Sequence, residues 1–133
     1  MKRLLPFLLC IALFACSKKE TPKPTVSLVG TWYTTKLTAI DYTTTPNQTE
    51  NISYSHTDYI KFNADGTGAQ QLDVDNIPFT YTTKNDSVAI IFHTNTKADL
   101  YKIVSLTNTS LDLLVKYSSN GTLQESVETT FTK

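Results

Sequence analysis

Residues 77–94, IPFTYTTKNDSVAIIFHT, decide the fold of this chain. Two runs rich in β-branched and aromatic residues flank Asn85 and Asp86, a pair that favours a two-residue hairpin turn. Such a turn pairs Lys84 with Ser87 and thereby sets the register of both runs. The opposite pairs that result are Tyr81 with Ile90, Phe79 with Phe92, and Ile77 with Thr94. Because opposed residues share a face of the sheet, both runs predict one common apolar face. The other face carries Thr80, Thr82, Ala89, Ile91 and His93.

The same alternation continues on both sides of this hairpin. Short turn-forming segments, such as Asn63-Ala64-Asp65-Gly66, separate successive strand-like runs, which is the pattern of an antiparallel meander. The predicted strands are 31–40, 51–56, 58–63, 67–74, 77–84, 87–94, 98–106, 111–118 and 122–132. The second and third runs are close enough in sequence to be one bent strand, which reduces the count to about eight.

The composition predicts an all-β domain. Thr occurs 23 times, and with Val, Ile, Tyr and Phe it favours strand over helix nearly throughout. A sequential antiparallel sheet with one apolar face and no covering helix has to bury that face against itself. We therefore predict a small up-and-down antiparallel β-barrel, since closure also removes the exposed sheet edges. A two-sheet β-sandwich is the alternative.

The hairpin at residues 98–118 permits two registers. A two-residue loop places Val104 and Lys102 on the inner face, whereas a three-residue loop places Ser105, Ile103 and Tyr101 there. Lys102 is expected on the surface, because an unpaired ammonium group is rarely buried.

The N-terminus has the pattern of an export signal. Lys2 and Arg3 precede an apolar run that is too short to span a bilayer and that ends in Leu13-Phe14-Ala15-Cys16. That ending resembles the lipobox of bacterial lipoproteins. The resemblance implies a signal peptide at residues 1–15, lipidation of Cys16, and a mature protein held at a membrane by its N-terminal lipid. Ser17 is compatible with sorting to the outer membrane, on either its periplasmic or its surface face.

Residues 16–29 are expected to form the lipidated Cys and a flexible tether, because residues 17–27 are polar, contain two prolines and lack hydrophobic periodicity. Residues 43–50 are predicted to form a second exposed loop.

The domain itself is predicted to span residues 30–133. Cys10 lies in the signal peptide and the Cys16 thiol would be consumed as a thioether, so no disulfide is expected in the mature chain.

Charge and motif content exclude several classes of function. Without Lys2 and Arg3 the chain has ten basic and twelve acidic residues (12 − 2 = 10 against 12). This slight excess of negative charge does not favour binding to nucleic acid. His56 and His93 are isolated, without Cys or carboxylates at metal-ligand spacing. No metal site, cofactor or catalytic constellation is predicted, so the protein is not expected to be an enzyme.

Gly30-Thr31-Trp32 resembles the Gly-x-Trp signature of lipocalins. The order of Tyr59-Ile60-Lys61-Phe62-Asn63-Ala64-Asp65-Gly66-Thr67-Gly68, Tyr101-Lys102-Ile103 and Leu111-Asp112-Leu113 resembles the lipocalin-like domain of small Gram-negative lipoproteins. The resemblance implies a barrel closed at one end by Trp32, with a basic side chain from the last strand over the indole. No Arg stands there, and Lys133 is the nearest candidate.

The resemblance also implies that the protein binds a small apolar or amphipathic ligand without catalysis. The candidate pocket-lining residues are Tyr54, Phe62, Phe79, Tyr81, Ile90 and Phe92. In a small barrel such side chains either line a cup or fill the lumen. A filled barrel acting as a protein-interaction or inhibitor module at the cell envelope, with a partner that the sequence does not identify, is the alternative function.

Overall fold

The computed structural model describes residues 26–54 and 57–133. The predicted signal peptide at 1–15, Cys16, most of the tether and His56 lie outside these residues. The described part forms nine strands: β1 (Gly30–Asp41), β2 (Gln48–Ser53), β3 (Tyr59–Phe62), β4 (Thr67–Leu72), β5 (Asp75–Lys84), β6 (Ser87–Phe92), β7 (Asp99–Leu106), β8 (Ser110–Ser119) and β9 (Thr122–Thr132). In these residues there is no helix of the length and apolar character needed to cross a membrane.

The strands close into a barrel because β1 pairs with β9. On its other edge β1 pairs first with β3, at Gly30–Tyr33, and then with β2, at Lys36–Asp41. Strands β2 and β3 therefore occupy one position in the wall, as a single interrupted strand, and the result is a closed eight-stranded antiparallel barrel. The prediction of a barrel is confirmed, and the alternative of a sandwich is wrong because the first and last strands are neighbours.

The register of the central hairpin is as predicted. Lys84 pairs with Ser87, and Phe79 lies opposite Phe92 in the β5–β6 ladder. Tyr81 is opposite Ile90 in the same ladder. The expected pair of Ile77 with Thr94 does not form, because β6 ends at Phe92 and the chain then turns away into the loop before β7.

A bulge at Val104 decides the register of the β7–β8 hairpin. Tyr101 and Ile103 pair with the inward residues of β8, whereas Lys102 is exposed on the outer face as expected. Beyond the bulge the alternation shifts by one residue, so Leu106 rather than Ser105 lies opposite the buried Leu111. The extra residue therefore lets β7 pack both Ile103 and Leu106 against the core.

The segment predicted as a loop at residues 43–50 is shorter than expected. Strand β2 already begins at Gln48, since β1 continues to Asp41 and offers its backbone edge as a pairing partner. All six residues of β2 are exposed. A strand with neither face buried has no hydrophobic alternation, and for that reason the sequence pattern did not reveal its first half.

The core fills one end of the barrel. Its largest fully buried side chains are Trp32, Phe62, Phe79, Ile90, Leu111, Leu113 and Val88. The turns at residues 63–66, 85–86 and 107–109 surround this end, which we call the closed end. The opposite end, where the connections 42–47, 73–74, 93–98 and 120–121 lie, is called the open end.

Candidate ligand-binding site

The indole of Trp32 is the floor of the barrel. Its ring is fully buried, and its Nε1–H donates a hydrogen bond of 2.7 Å to the carbonyl oxygen of Leu28. The ammonium nitrogen of Lys133 lies over the indole ring, 4.3 Å from its centroid. The structure thus places the two candidate closure residues, Trp32 and Lys133, in contact at the closed end.

Four of the six candidate pocket residues pack together next to this floor. The ring of Phe62 meets the rings of Phe79 and Tyr81 edge to face, with centroid distances of 5.5 and 4.9 Å. Ile90, opposite Tyr81, is fully buried. These side chains fill the closed half of the lumen, so they form a packed support and do not line an open cavity.

Tyr81 is held in this support through its hydroxyl. The O–H donates a hydrogen bond of 2.6 Å to the carbonyl oxygen of Asn63, in the turn between β3 and β4. Burial, and to a smaller extent the carboxylate of Asp65, raises the pKa of the Tyr81 phenol. The phenol therefore stays neutral and ties β5 to the neighbouring turn.

The open half of the lumen contains a cavity of about 170 Å³. Its apolar lining consists of Leu37, Ile60, Leu72, Phe92, Leu113, Val115, Val127 and Phe131. The polar lining consists of Thr34, Tyr54, Gln70, Tyr101, Tyr117 and Thr129. Of the six candidate pocket residues, Tyr54 and Phe92 lie in this wall. The volume is close to that of an engineered cavity of about 150 Å³ that holds benzene, and well below the roughly 300 Å³ of a pocket for a drug-sized molecule.

Two phenols, Tyr101 and Tyr117, stand where this cavity opens. Burial raises the pKa of Tyr101 most strongly, and Tyr117 and Asp99 raise it further. The pKa of Tyr117 is also raised, by burial first and then by Asp99 and Glu125. Among the described residues, the tyrosine hydroxyls that bond to protein groups are those of Tyr42 and Tyr81, not these two. Both hydroxyls are therefore neutral and free to bond a molecule in the cavity.

A second depression, of about 260 Å³, adjoins the cavity at the open end, and we call it the vestibule. It shares Gln70, Phe92, Tyr101 and Tyr117 with the cavity. Its further lining is Ile77, Thr94, Asn95 and Asp99. The two spaces together form a passage that leads from the packed core to solvent.

Most of the cavity residues were not singled out from the sequence. Strand β9 supplies Val127 and Thr129, but its inward positions alternate between polar and apolar residues, which hides the periodic signal. Tyr101 was left open because the turn before β8 permits two registers in the sequence. Tyr117 could have been found, since it continues the alternation of Leu111, Leu113 and Val115.

The fold and cavity define a small antiparallel barrel with one closed end and an internal cavity. A sequence model of the lipocalin-like domain family matches residues 28–113, and the chain belongs to that family. The match ends within β8, so the closing strand β9 lies beyond it. Comparison with curated proteins and with solved structures gave no significant match.

Members of the lipocalin-like family are typically non-catalytic. Across residues 26–54 and 57–133, no group of three or more His, Cys, Asp or Glu side chains is arranged to hold a metal ion. Every buried side-chain nitrogen or oxygen among these residues has a hydrogen-bond partner. The cavity inside the barrel offers space to another molecule.

Proposed function

We propose that this chain is a membrane-anchored, non-catalytic lipocalin-like protein that binds a small apolar or amphipathic molecule in the open half of its barrel. The observation that carries this proposal is the cavity of about 170 Å³, which is mainly apolar and leads to solvent through the vestibule. An apolar space beside a few polar groups is the usual make-up of a small-molecule site.

The packed closed half supports the binding role. The cavity-lining residues Ile60, Leu113 and Phe131 are buried members of the core cluster, so this part of the cavity wall cannot easily move aside. A preformed rigid wall lowers the entropic cost of holding a ligand. The alternative, a filled barrel that acts only as an interaction module, requires side chains throughout the lumen, and the open half is not filled.

The size of the cavity restricts the ligand. About 170 Å³ accommodates one aromatic ring or a short branched chain. A longer molecule would extend past Tyr101 and Tyr117 into the vestibule, where it meets solvent and polar side chains. The expected ligand is accordingly a small molecule with one apolar end, rather than a long fatty acid lying wholly inside the barrel.

The membrane anchor rests on the sequence. The lipobox-like residues Leu13-Phe14-Ala15-Cys16 support lipidation of Cys16, and the polar segment that follows supports a tether. We place the domain at the outer membrane on the same basis. Described residues begin at the closed end, where Leu28 lies against Trp32, so this end of the barrel continues into the tether.

Toluene binding to the barrel domain tests the cavity. Val127→Phe adds a ring to a lumen residue of β9 and should abolish the rise in melting temperature that toluene produces. Val104→Phe adds the same ring at the exposed bulge of β7 and should leave the rise unchanged. Equal toluene stabilisation of the two variants would rule out the lumen as the binding site. Native mass spectrometry of the protein purified from its source would then reveal any natural small ligand.

A further inference from the structure

The inward-facing residues of the barrel change from apolar to acidic towards the open end. In one row across β8, β9 and β1, Leu113, Thr129 and Leu37 are paired neighbours. Two residues nearer the open end, the corresponding row is Val115, Val127 and Ala39. Two residues further again, the row is Tyr117, Glu125 and Asp41. On these three strands the wall is therefore mostly apolar beside the cavity and carries two carboxylates at the rim.

Asp99 places a carboxylate in the vestibule itself. It begins β7 opposite the inward-facing Ile90 and is half-buried in the vestibule lining. Asp99 acts electrostatically on the phenols of both Tyr101 and Tyr117, and it raises the pKa of each. Its negative charge is thus felt at the point where the cavity opens.

Of the other two rim carboxylates, Glu125 adds to this charge. Glu125 raises the pKa of Tyr117 as well, so it is close to the same phenol. The Oδ1 atom of Asp41 accepts hydrogen bonds from the hydroxyl and backbone N–H of Thr43, at 2.6 and 2.7 Å, and these bonds lower the Asp41 pKa. Asp41 therefore keeps its charge in neutral and mildly acidic solution.

Among residues 26–54 and 57–133, no basic side chain belongs to the lining of the cavity or the vestibule. His93 and Lys97 lie on the loop between β6 and β7 and are exposed, and neither belongs to the lining of the cavity or the vestibule. Lys116, beside Tyr117 in sequence, pairs with Ser126 and so faces outward. The carboxylates are also too dispersed, over the described residues, to form a metal cluster. An organic cation matches this arrangement better than a metal ion.

We propose that the ligand is a small organic ammonium compound, with its apolar body in the cavity and its positive charge in the vestibule beside Asp99. This inference rests on the proposed function, since it identifies the class of molecule that the same cavity takes. The carboxylate of Asp99 supplies charge attraction, and the faces of Tyr101 and Tyr117 supply cation–π contact at the opening. The two hydroxyls add hydrogen-bond acceptors for an ammonium N–H.

Three probes of similar shape test the inference in calorimetric titrations of the barrel domain at low salt: 2-phenylethylamine, 2-phenylethanol and 3-phenylpropanoate. The ammonium probe should bind at least tenfold more tightly than the alcohol, and the carboxylate should bind most weakly. Added salt should reduce the preference for the ammonium probe, because the vestibule is open to solvent. Asp99→Asn should remove most of that preference, because it should weaken binding of the ammonium probe far more than binding of the alcohol.

Glu125→Gln should reduce the preference in the same direction as Asp99→Asn. Glu128→Gln is the matched control, since Glu128 lies on the same strand, pairs with Leu114 and Thr38, and faces outward. If the alcohol and the ammonium probe bind wild-type protein equally well, the ammonium inference is wrong and the binding function stands. If none of the three probes binds, the proposed function and this inference fail together.

Discussion

The ammonium nitrogen of Lys133 lies 4.3 Å from the centre of the Trp32 ring, so a residue of the first strand and the residue that follows the last strand meet at the closed end. The contact is held from several directions. The backbone N–H of Lys133 donates to the carbonyl oxygen of Thr109 at 3.1 Å, and the indole Nε1–H donates to Leu28. A Cβ at Gly30 would come within 3.0 Å of the Lys133 side chain. The close approach of lysine and indole therefore depends on glycine at position 30.

Replacing Lys133 with Met should lower the free energy of unfolding by about 0.5–1 kcal/mol, because the cation–π contact with Trp32 is lost. Lys133→Arg should retain the stability, since a guanidinium group also stacks on an indole. Urea denaturation followed by Trp32 fluorescence measures both. Lys84→Met, at an exposed position next to a turn at the same end, is the control. The contact contributes nothing if the two Met variants unfold at the same urea concentration.

Gly68→Ala should destabilise the barrel strongly. A Cβ at this position would lie 2.3 Å from two ring atoms of Phe79 and 2.4 Å from the carbonyl oxygen of Lys61. Overpacking of this kind lowers the free energy of unfolding by roughly 1–3 kcal/mol or more, because neither a buried ring nor a strand backbone can move away from the added methyl group. Thermal unfolding measures the change, with Ala69→Ser on the adjacent outward position as the control. A melting temperature for Gly68→Ala equal to that of the control would contradict the packing described for Phe79.

Phe79→Ala should cost about 3–5 kcal/mol of unfolding free energy, since the ring is wholly buried in the closed half. Phe92→Ala should cost less, because Phe92 is half-buried and borders the cavity. Thr82→Ala, on the outer face of the same hairpin, should change stability by less than about 0.5 kcal/mol. Urea midpoints should therefore rank Thr82→Ala above Phe92→Ala and Phe92→Ala above Phe79→Ala. Any other order would show that the closed and open halves are wrongly assigned.

Tyr101 should weaken the fold in alkaline solution. Burial raises its pKa, so the folded state favours the neutral phenol more than the unfolded state does. The stability from this difference is fully present below the unfolded pKa of about 10 and is lost as the pH rises through the folded-state pKa. Tyr101→Phe should therefore show a smaller fall in unfolding free energy between pH of about 8 and about 11. A fall equal to that of the wild-type protein would contradict the assignment.

Cys16→Ser should abolish incorporation of radioactive fatty acid into the protein and leave it unprocessed or soluble. The physical reason is that acyl chains contribute about 0.8 kcal/mol per buried methylene, which is far more than a polar tether can supply. Cys10→Ser is the matched control, because Cys10 lies within the predicted signal peptide and should not affect labelling. Undiminished labelling of Cys16→Ser would refute the lipid assignment.

The strand order and the central register could be predicted because two independent signals coincide in residues 77–94. Alternation selects a face for each run, and the two-residue loop at Asn85 and Asp86 aligns the runs. Elsewhere one of these signals is missing. The first half of β2 has no buried face, and the bulge at Val104 is a backbone irregularity that side-chain types do not encode.

The candidate site was only partly predictable for a different reason. Alternation shows which side chains point into a barrel. It does not show in which part of the barrel those side chains fill the lumen and in which part they leave a cavity. Gly68 leaves the space that the ring of Phe79 occupies, and this fills the closed half around Phe62 and Tyr81. The cavity forms where smaller inward residues, such as Val115 and Val127, follow along the strands. That division depends on packing across strands that are distant in sequence.

The three pairing partners of β1 bear on how the chain folds. Strand β1 cannot complete its ladder until β9 arrives, and the hydroxyl of Thr35 bonds the carbonyl oxygen of Thr130 at a sequence separation of 95 residues. Contacts between such distant positions slow folding, so we expect barrel closure to be a late, rate-limiting event on a scale of about milliseconds to seconds. Until then β1 presents an unprotected edge that another chain can pair with. Nascent or truncated chains that lack β9 should consequently aggregate through β1.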